Sequence, residues 1–428
     1  MFRSVLGPVG SLRLYYFVAF SVMGVFLPYL PPWLQEQGIV GTRMGIVLGT
    51  RPVAMILSPV LFGLLADRLG LRGSLLRWVA SGALGVAAVL LGLAASGQLG
   101  FWSIFLLLLL FSILRTPLTS LADATVLEGS AVYGPVRLWG SLGFLVTALL
   151  IGKYLDWGPR LRWPFALTLA LCLTVVATFW IPSHRNRFQR PRLGHRRRLL
   201  SRGDFRLLLL IVAGWQLSHS AYDLCISLYL QHLGASHFQV GGAWAIATLT
   251  EVLLMALAGK LLEWTSSATL LVVGVAGTML RWIAVALAPS LGTLLWLQPL
   301  HALSFALVWI AALECLRERA EPHAMATAQG LLVGSMAVGS TLGMLFWSRL
   351  YLSFGGSSVF IAAATVTVPV LLGTAVLRLL IDRKSSRDAG LARHKLDIAE
   401  EPDSFPLRTD ALAPGSPLDK IGGKIPSA

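Results

Sequence analysis

Apolar runs of about 20 residues, the length a helix needs to cross a bilayer at roughly 1.5 Å per residue, recur about twelve times along this chain. Their cores fall near 12–34, 43–63, 75–95, 102–124, 137–155, 163–182, 205–230, 240–260, 269–288, 292–313, 326–350 and 357–380. Polar positions are confined mostly to the short connections between them. The pattern predicts an all-α membrane protein. The first run is too long for the core of a signal peptide and leads directly into a second span, so it reads as a retained helix. From residue 383 the apolar periodicity stops and Pro, Ser, Asp and Arg accumulate, which predicts a disordered tail over 383–428.

Composition agrees: 56% of the residues are hydrophobic and 13% charged, with a mean hydropathy of +0.73. The net charge of +15 raises the question of nucleic acid, but its placement answers otherwise. Between Ser183 and Arg206, nine arginines face one aspartate. Under the positive-inside rule such a loop is a topological anchor. Putting it in the cytoplasm puts both termini there, together with Arg68, Arg72, Arg317 and Arg319. The connections near 36–42, 231–239 and 289–291, poor in basic residues, then fall outside. Cys172, Cys225 and Cys315 lie on separate predicted helices without metal-ligand spacing. No cofactor or metal is called for, and nothing in the sequence demands more than a monomer.

Sliding the chain against itself gives one persistent register. Leu34, Gln35, Gly38 and Gly45 meet Leu230, Gln231, Gly234 and Gly241, each 196 residues later. Gly63 and Asp67 meet Gly259 and Glu263; Gly134 and Gly143 meet Gly330 and Gly339. Two six-helix halves, 1–182 and 205–382, joined by the basic linker 183–204, are the organisation of the major facilitator superfamily, which the chain resembles. That resemblance implies a substrate site near mid-membrane between the halves.

FGLLADRLGLRG, residues 62 to 73, is similar to the superfamily's signature between its second and third helices, carried by Gly63, Asp67, Arg68, Gly70 and Arg72. The resemblance gives these residues a gating role. YGPVRLWGSLGF, residues 133 to 144, resembles the fifth-helix segment of the lactose permease and phenylpropionate permease group. It places Arg137 at that group's substrate-binding arginine; a further arginine found there two residues earlier is Pro135 in this chain. Stretches 24–38, 219–234, 244–251 and 297–305 resemble the phenylpropionate permeases in particular.

One carboxylate, Glu251, interrupts the apolar run ATLTEVLLMALAG. Counting at about 1.5 Å per residue puts it about 16 Å below the outer surface and His301 about 14 Å below, close enough in depth to pair. Arg51, Arg115, His219 and Arg281 fall in the same central layer. Ionisable groups there are costly and normally face a polar interior, so each is a functional candidate. A carboxylate beside an imidazole or guanidinium can be loaded and unloaded with a proton as its surroundings change. Glu251 and His301 are therefore the expected proton-coupling residues; a structural salt bridge is the alternative. The excess of arginines favours an anionic substrate, held by Arg137, Arg51, Arg115 and Arg281. His219, Tyr222 and Asp123 join the expected substrate set, Asp123 or Asp223 also being possible partners for Arg51 and Arg115. Tyr16, Phe20, Tyr222, Trp244 and Phe305 could wall an aromatic ring.

These observations point to a proton-coupled symporter in a bacterial cytoplasmic membrane, importing a small carboxylate with an aromatic ring such as 3-phenylpropionate. A sugar or nucleoside symporter, an exporter of small molecules and a transporter-like sensor are the competing classes. An enzyme is not expected: the chain has no Walker A loop, HExxH or GxSxG.

Overall fold

Helices account for nearly all of the described backbone in a computed structural model that describes residues 3–69, 72–128, 133–158, 161–181, 194–288, 290–321 and 324–400. In chain order they are α1 (Arg3–Glu36), α2 (Gly41–Leu69), α3 (Arg72–Ala95), α4 (Phe101–Arg115), α5 (Pro117–Glu128), α6 (Tyr133–Asp156), α7 (Arg162–Thr178) and α8 (Gly194–Ser201). They continue with α9 (Gly203–His232), α10 (His237–Ala256), α11 (Ala258–Trp264), α12 (Ser267–Ala286), α13 (Leu291–Trp296), α14 (Val308–Arg317) and α15 (Met325–Glu400). Among the described residues, nine helices are long and apolar enough to cross a membrane. One of these, Thr327–Arg383, is two crossings joined at Gly355, whose φ of 76° breaks the helix. The shorter α7 and the more polar α9 supply the remaining predicted crossings. Exposed tryptophans at helix ends, among them Trp102, Trp157, Trp264 and Trp296, form the interfacial belts of a multi-pass integral membrane protein.

Two predicted crossings are broken by proline. Pro117 has no N–H for the carbonyl of Ile113, and α4 gives way to α5 there. Ser58 Oγ donates to that carbonyl at 2.9 Å, so the broken bond is replaced from α2. Pro299 acts similarly in the tenth crossing, where α13 passes through a 3₁₀ turn (Gln298–Leu300) and a π turn (Ala302–Leu307) into α14. His301 sits between the two irregular turns.

The 196-residue register reappears as geometry. A Cβ added at Gly143 would lie 2.1 Å from the carbonyl of Phe17, and one at Gly339 2.0 Å from that of Ala213. Gly45 touches the carbonyl of Met344 as Gly241 touches that of Ala148, each pair bridging the halves. In all these cases both members of one contact lie 196 residues from their counterparts. Of the glycine face expected on α15, Gly339 and Gly343 pack on α9, whereas Gly330 and Gly334 have open space around them.

The halves meet tightly on one side of the membrane. Asp156, ending α6, accepts hydrogen bonds from the backbone N–H groups of His237 (2.7 Å) and Phe238 (3.2 Å), the first turn of α10. The His237 ring lies 3.2 Å from Asp156 and 4.0 Å from Glu36. Tyr29 donates to the carbonyls of Ala148 and, at 3.3 Å, His237. A carboxylate on the positive end of a helix is a favourable seal. At the opposite end, Arg202 grips Asp204 with two hydrogen bonds of 3.2 and 2.7 Å and donates to the carbonyl of Arg319 at 2.8 Å.

At the start of the tail, helix continues through residues 383–400, where Arg, Ala, Leu, Lys and Glu, all good helix formers, recur. Residues 401–428 lie outside the described residues.

Candidate functional site

A cavity of about 290 Å³ lies between the halves, on the inner side of the seal. α1, α2 and α6 contribute Phe20, Arg51, Met55, Arg137 and Phe144; α9, α10, the irregular tenth crossing and α15 contribute Gln216, His219, Asp223, Trp244, Glu251, His301, Phe305 and Ser340. A second cavity of about 280 Å³, lined by Arg51, Arg115, Arg137 and Phe20, adjoins it in the first half. Helical spacing explains the composition. Gln216, His219 and Asp223, like Trp244, Ala247 and Glu251, recur every three or four residues and so share one helix face.

Glu251 and His301 do pair: His301 Nε2 lies 2.6 Å from Glu251 Oε1. Behind His301, the Arg281 guanidinium is fully buried. One of its nitrogens donates to His301 Nδ1 at 2.7 Å and to Ser304 Oγ at 2.8 Å, and another to Gln298 Oε1 at 3.3 Å. Tyr222 donates to the same Gln298 oxygen at 3.0 Å, and its ring lies under the guanidinium at 4.4 Å. A guanidinium only donates, so Nδ1 must accept. The ring's single proton is then on Nε2, and it is directed at Glu251. In this arrangement His301 cannot take a second proton without expelling Arg281. Among the described residues, no hydrogen bond engages the other oxygen of Glu251.

The remaining predicted residues sort by position. Arg137 lines the cavity with its guanidinium stacked on the Phe20 ring at 3.9 Å. Arg51 lines both cavities. Arg115 lines only the second one; it donates to the carbonyl of Ala19 at 3.1 Å and to Thr119 at 3.3 Å. His219 lines the main cavity within a box of Trp215, Tyr222, Trp282 and Phe305 rings. Arg281 and Tyr222 form a layer behind His301, not cavity wall, because their polar ends are taken up by Gln298 and Ser304. Asp123 is hydrogen-bonded by Tyr16 and is not among the residues lining either cavity.

Of the gating motif, Gly63 has no atom close to where a Cβ would stand, and Arg68 is exposed. Gly70 and the side chains of Asp67 and Arg72 lie outside the described residues. The sequence reading missed Gln216, Ser340, Met55 and Phe144 as cavity residues and gave Asp223 only a pairing role. The three-to-four spacing from His219 was the available signal for Gln216 and Asp223.

A twelve-crossing bundle in two repeated halves, with a charged and aromatic cavity between them, defines a secondary transporter of the major facilitator type. The chain belongs to the MFS_1 like family, whose model matches residues 9–362. It is 27% identical over 381 residues to a protein of Escherichia coli (strain K12) described as a probable 3-phenylpropionic acid transporter, covering 84% of this chain and 95% of that one. It is 28% identical over 394 residues to the maltose permease of Geobacillus stearothermophilus, covering 88% and 95%. Among solved structures it superposes on the nucleoside transporter NupG with a TM-score of 0.71 at 17% identity, covering 87% of this chain and 99% of that one. With the xylose transporter XylE from E. coli, in a partially occluded inward open conformation, the TM-score is 0.61 at 13% identity, covering 85% and 96%. These two likenesses carry the fold alone.

Proposed function

We propose that the protein is a proton-coupled symporter that imports a small carboxylate bearing an aromatic ring. The observation that carries this is the two-sided cavity: cationic Arg51 and Arg137 on the first half, and Glu251, hydrogen-bonded by His301, on the second. A carboxylate substrate is held by the guanidiniums, which offer paired donors, while Phe20, Phe144, Trp244 and Phe305 pack against its ring. Glu251 carries the coupled proton. His301, fixed by Arg281, positions and senses that carboxylate; it is not a second carrier.

The cavity of about 290 Å³ and the adjoining one of about 280 Å³ compare with ligand cavities of about 300–1,000 Å³ and have room for a small acid. The E. coli relative named for 3-phenylpropionic acid supports the same choice; the maltose permease relative keeps a sugar as the second reading. With the arginine-rich linker and both termini in the cytoplasm of a bacterium, the sealed side faces outward and this conformation is inward-facing. The segment 62–73, through Asp67, Arg68 and Arg72, acts as the gate at the opposite end.

The test is uptake into proteoliposomes of 3-phenylpropionate and, separately, maltose, with and without an imposed proton gradient. Gradient-dependent accumulation of the acid and none of the sugar is expected. Sugar accumulation without acid transport would replace this reading by the second.

A further inference from the structure

The cavity has a third polar feature, beside Arg51, to which the proposed function gives no hydrogen-bonding role. Asp223 lines it from α9, next to Gln216 and His219. Among the described residues, the Asp223 carboxylate receives one hydrogen bond, from Gln216 Nε2, at the long distance of 3.5 Å. Among the described residues, Gln216 Oε1, on a side chain only 6% exposed, has no hydrogen-bond partner, and neither has His219 Nδ1, which donates or accepts according to its tautomer. Asp223 and Gln216 present acceptors in want of donors. Leaving such groups unpaired is costly, and a ligand that supplies the donor is selected strongly over one that does not.

The Arg51 and Arg137 wall is the reverse, because guanidiniums donate and never accept. A ligand in the cavity therefore meets donors from α2 and α6 and acceptors from α9, Arg51 and Asp223 also lining a smaller cavity together, with aromatic rings close by. Charge narrows the choice of donor. Arg51, Arg115, Arg137 and Arg281 around the site exceed Asp123, Asp223 and Glu251 by one cation. A carboxylate reduces that excess, which grows by one when Glu251 takes up a proton, whereas an added ammonium would increase it. A neutral hydroxyl fits.

We infer that Asp223, supported by Gln216, forms a specificity subsite for a hydroxyl group on the substrate's aromatic ring, so that the preferred substrates are hydroxylated aryl carboxylates. The inference rests on the cavity being a carboxylate site and deepens that reading.

Competition against exchange of labelled 3-phenylpropionate in proteoliposomes tests it, using the 3-hydroxy and 4-hydroxy ring derivatives and their methoxy counterparts, which cannot donate. At least one hydroxylated acid should compete about 10-fold better than both the parent acid and its methoxy counterpart, the order expected for a hydrogen bond to a charged group. Asp223→Asn should shrink that advantage to about 3-fold or less while 3-phenylpropionate itself still exchanges. Should that variant not fold, the wild-type ligand series decides alone. Equal competition by hydroxy, methoxy and parent acids overturns the subsite and leaves carboxylate transport standing. A hydroxyl preference that survives Asp223→Asn, with all exchange slowed equally, also overturns it and makes Asp223 a charge partner of Arg51. If no acid exchanges at all, it is the carboxylate reading that fails.

Discussion

His301 illustrates how much one hydrogen bond can decide. Sequence depth made it a partner for Glu251, and the 2.6 Å contact agrees. Which ring nitrogen of His301 holds its hydrogen depends on Arg281, on a different helix, whose donation at 2.7 Å requires Nδ1 to accept. Helix periodicity places residues on faces but says little about which nitrogen meets which donor across a bundle. Two expectations belong here. Nitrogen-15 NMR of histidine-labelled protein should show His301 as the Nε2–H tautomer, a preference lost in Arg281→Gln; a wild-type ring protonated at Nδ1 would contradict the donation from Arg281 to Nδ1. Arg137→Lys should raise the KM for 3-phenylpropionate about 10-fold or more, because a point charge cannot reproduce the paired donors or the stacking on Phe20. An unchanged KM would remove Arg137 from the substrate's carboxylate.

At the scale of elements, helix existence was legible, because a crossing demands about 20 apolar residues and little else resembles that. The breaks were less so. Pro117 and Pro299 were visible in the sequence, but whether a proline kinks, stops or re-routes a helix depends on what takes over the freed carbonyl, and Ser58 is 55 residues from Ile113. The seal between α6 and α10 was not legible either, since nothing near Asp156 marks it as a cap for a helix 81 residues away. It gives a prediction. Asp156→Ala removes a carboxylate from the N-terminus of α10, an interaction of about 1 kcal/mol or more. With the native cysteines replaced by serine, a cysteine at Thr248 should then react several-fold faster with a membrane-impermeant thiol reagent added outside. An unchanged rate would mean that the cap does not hold this side shut.

For the whole molecule, the 196-residue register carried the architecture. It survives at Gly45, Gly143, Gly241 and Gly339 because backbones that touch leave room for no other residue. Elsewhere lipid-facing positions tolerate any apolar side chain, and the repeat fades. The cavity was legible in outline, as ionisable residues at mid-depth, but not which of them line it together, Arg51 and Arg137 from the first half with Gln216, Asp223 and Glu251 from the second. That grouping comes from packing between halves, which one sequence does not print. The central claim is that Glu251 carries the proton that makes import uphill, and Glu251→Gln tests it most directly. The glutamine stands for the permanently protonated carboxyl. In one preparation of proteoliposomes, proton-driven accumulation and equilibrium exchange of labelled 3-phenylpropionate are measured for wild type and variant. Accumulation should vanish in the variant while exchange persists; accumulation against the gradient by Glu251→Gln at the wild-type level would contradict the account.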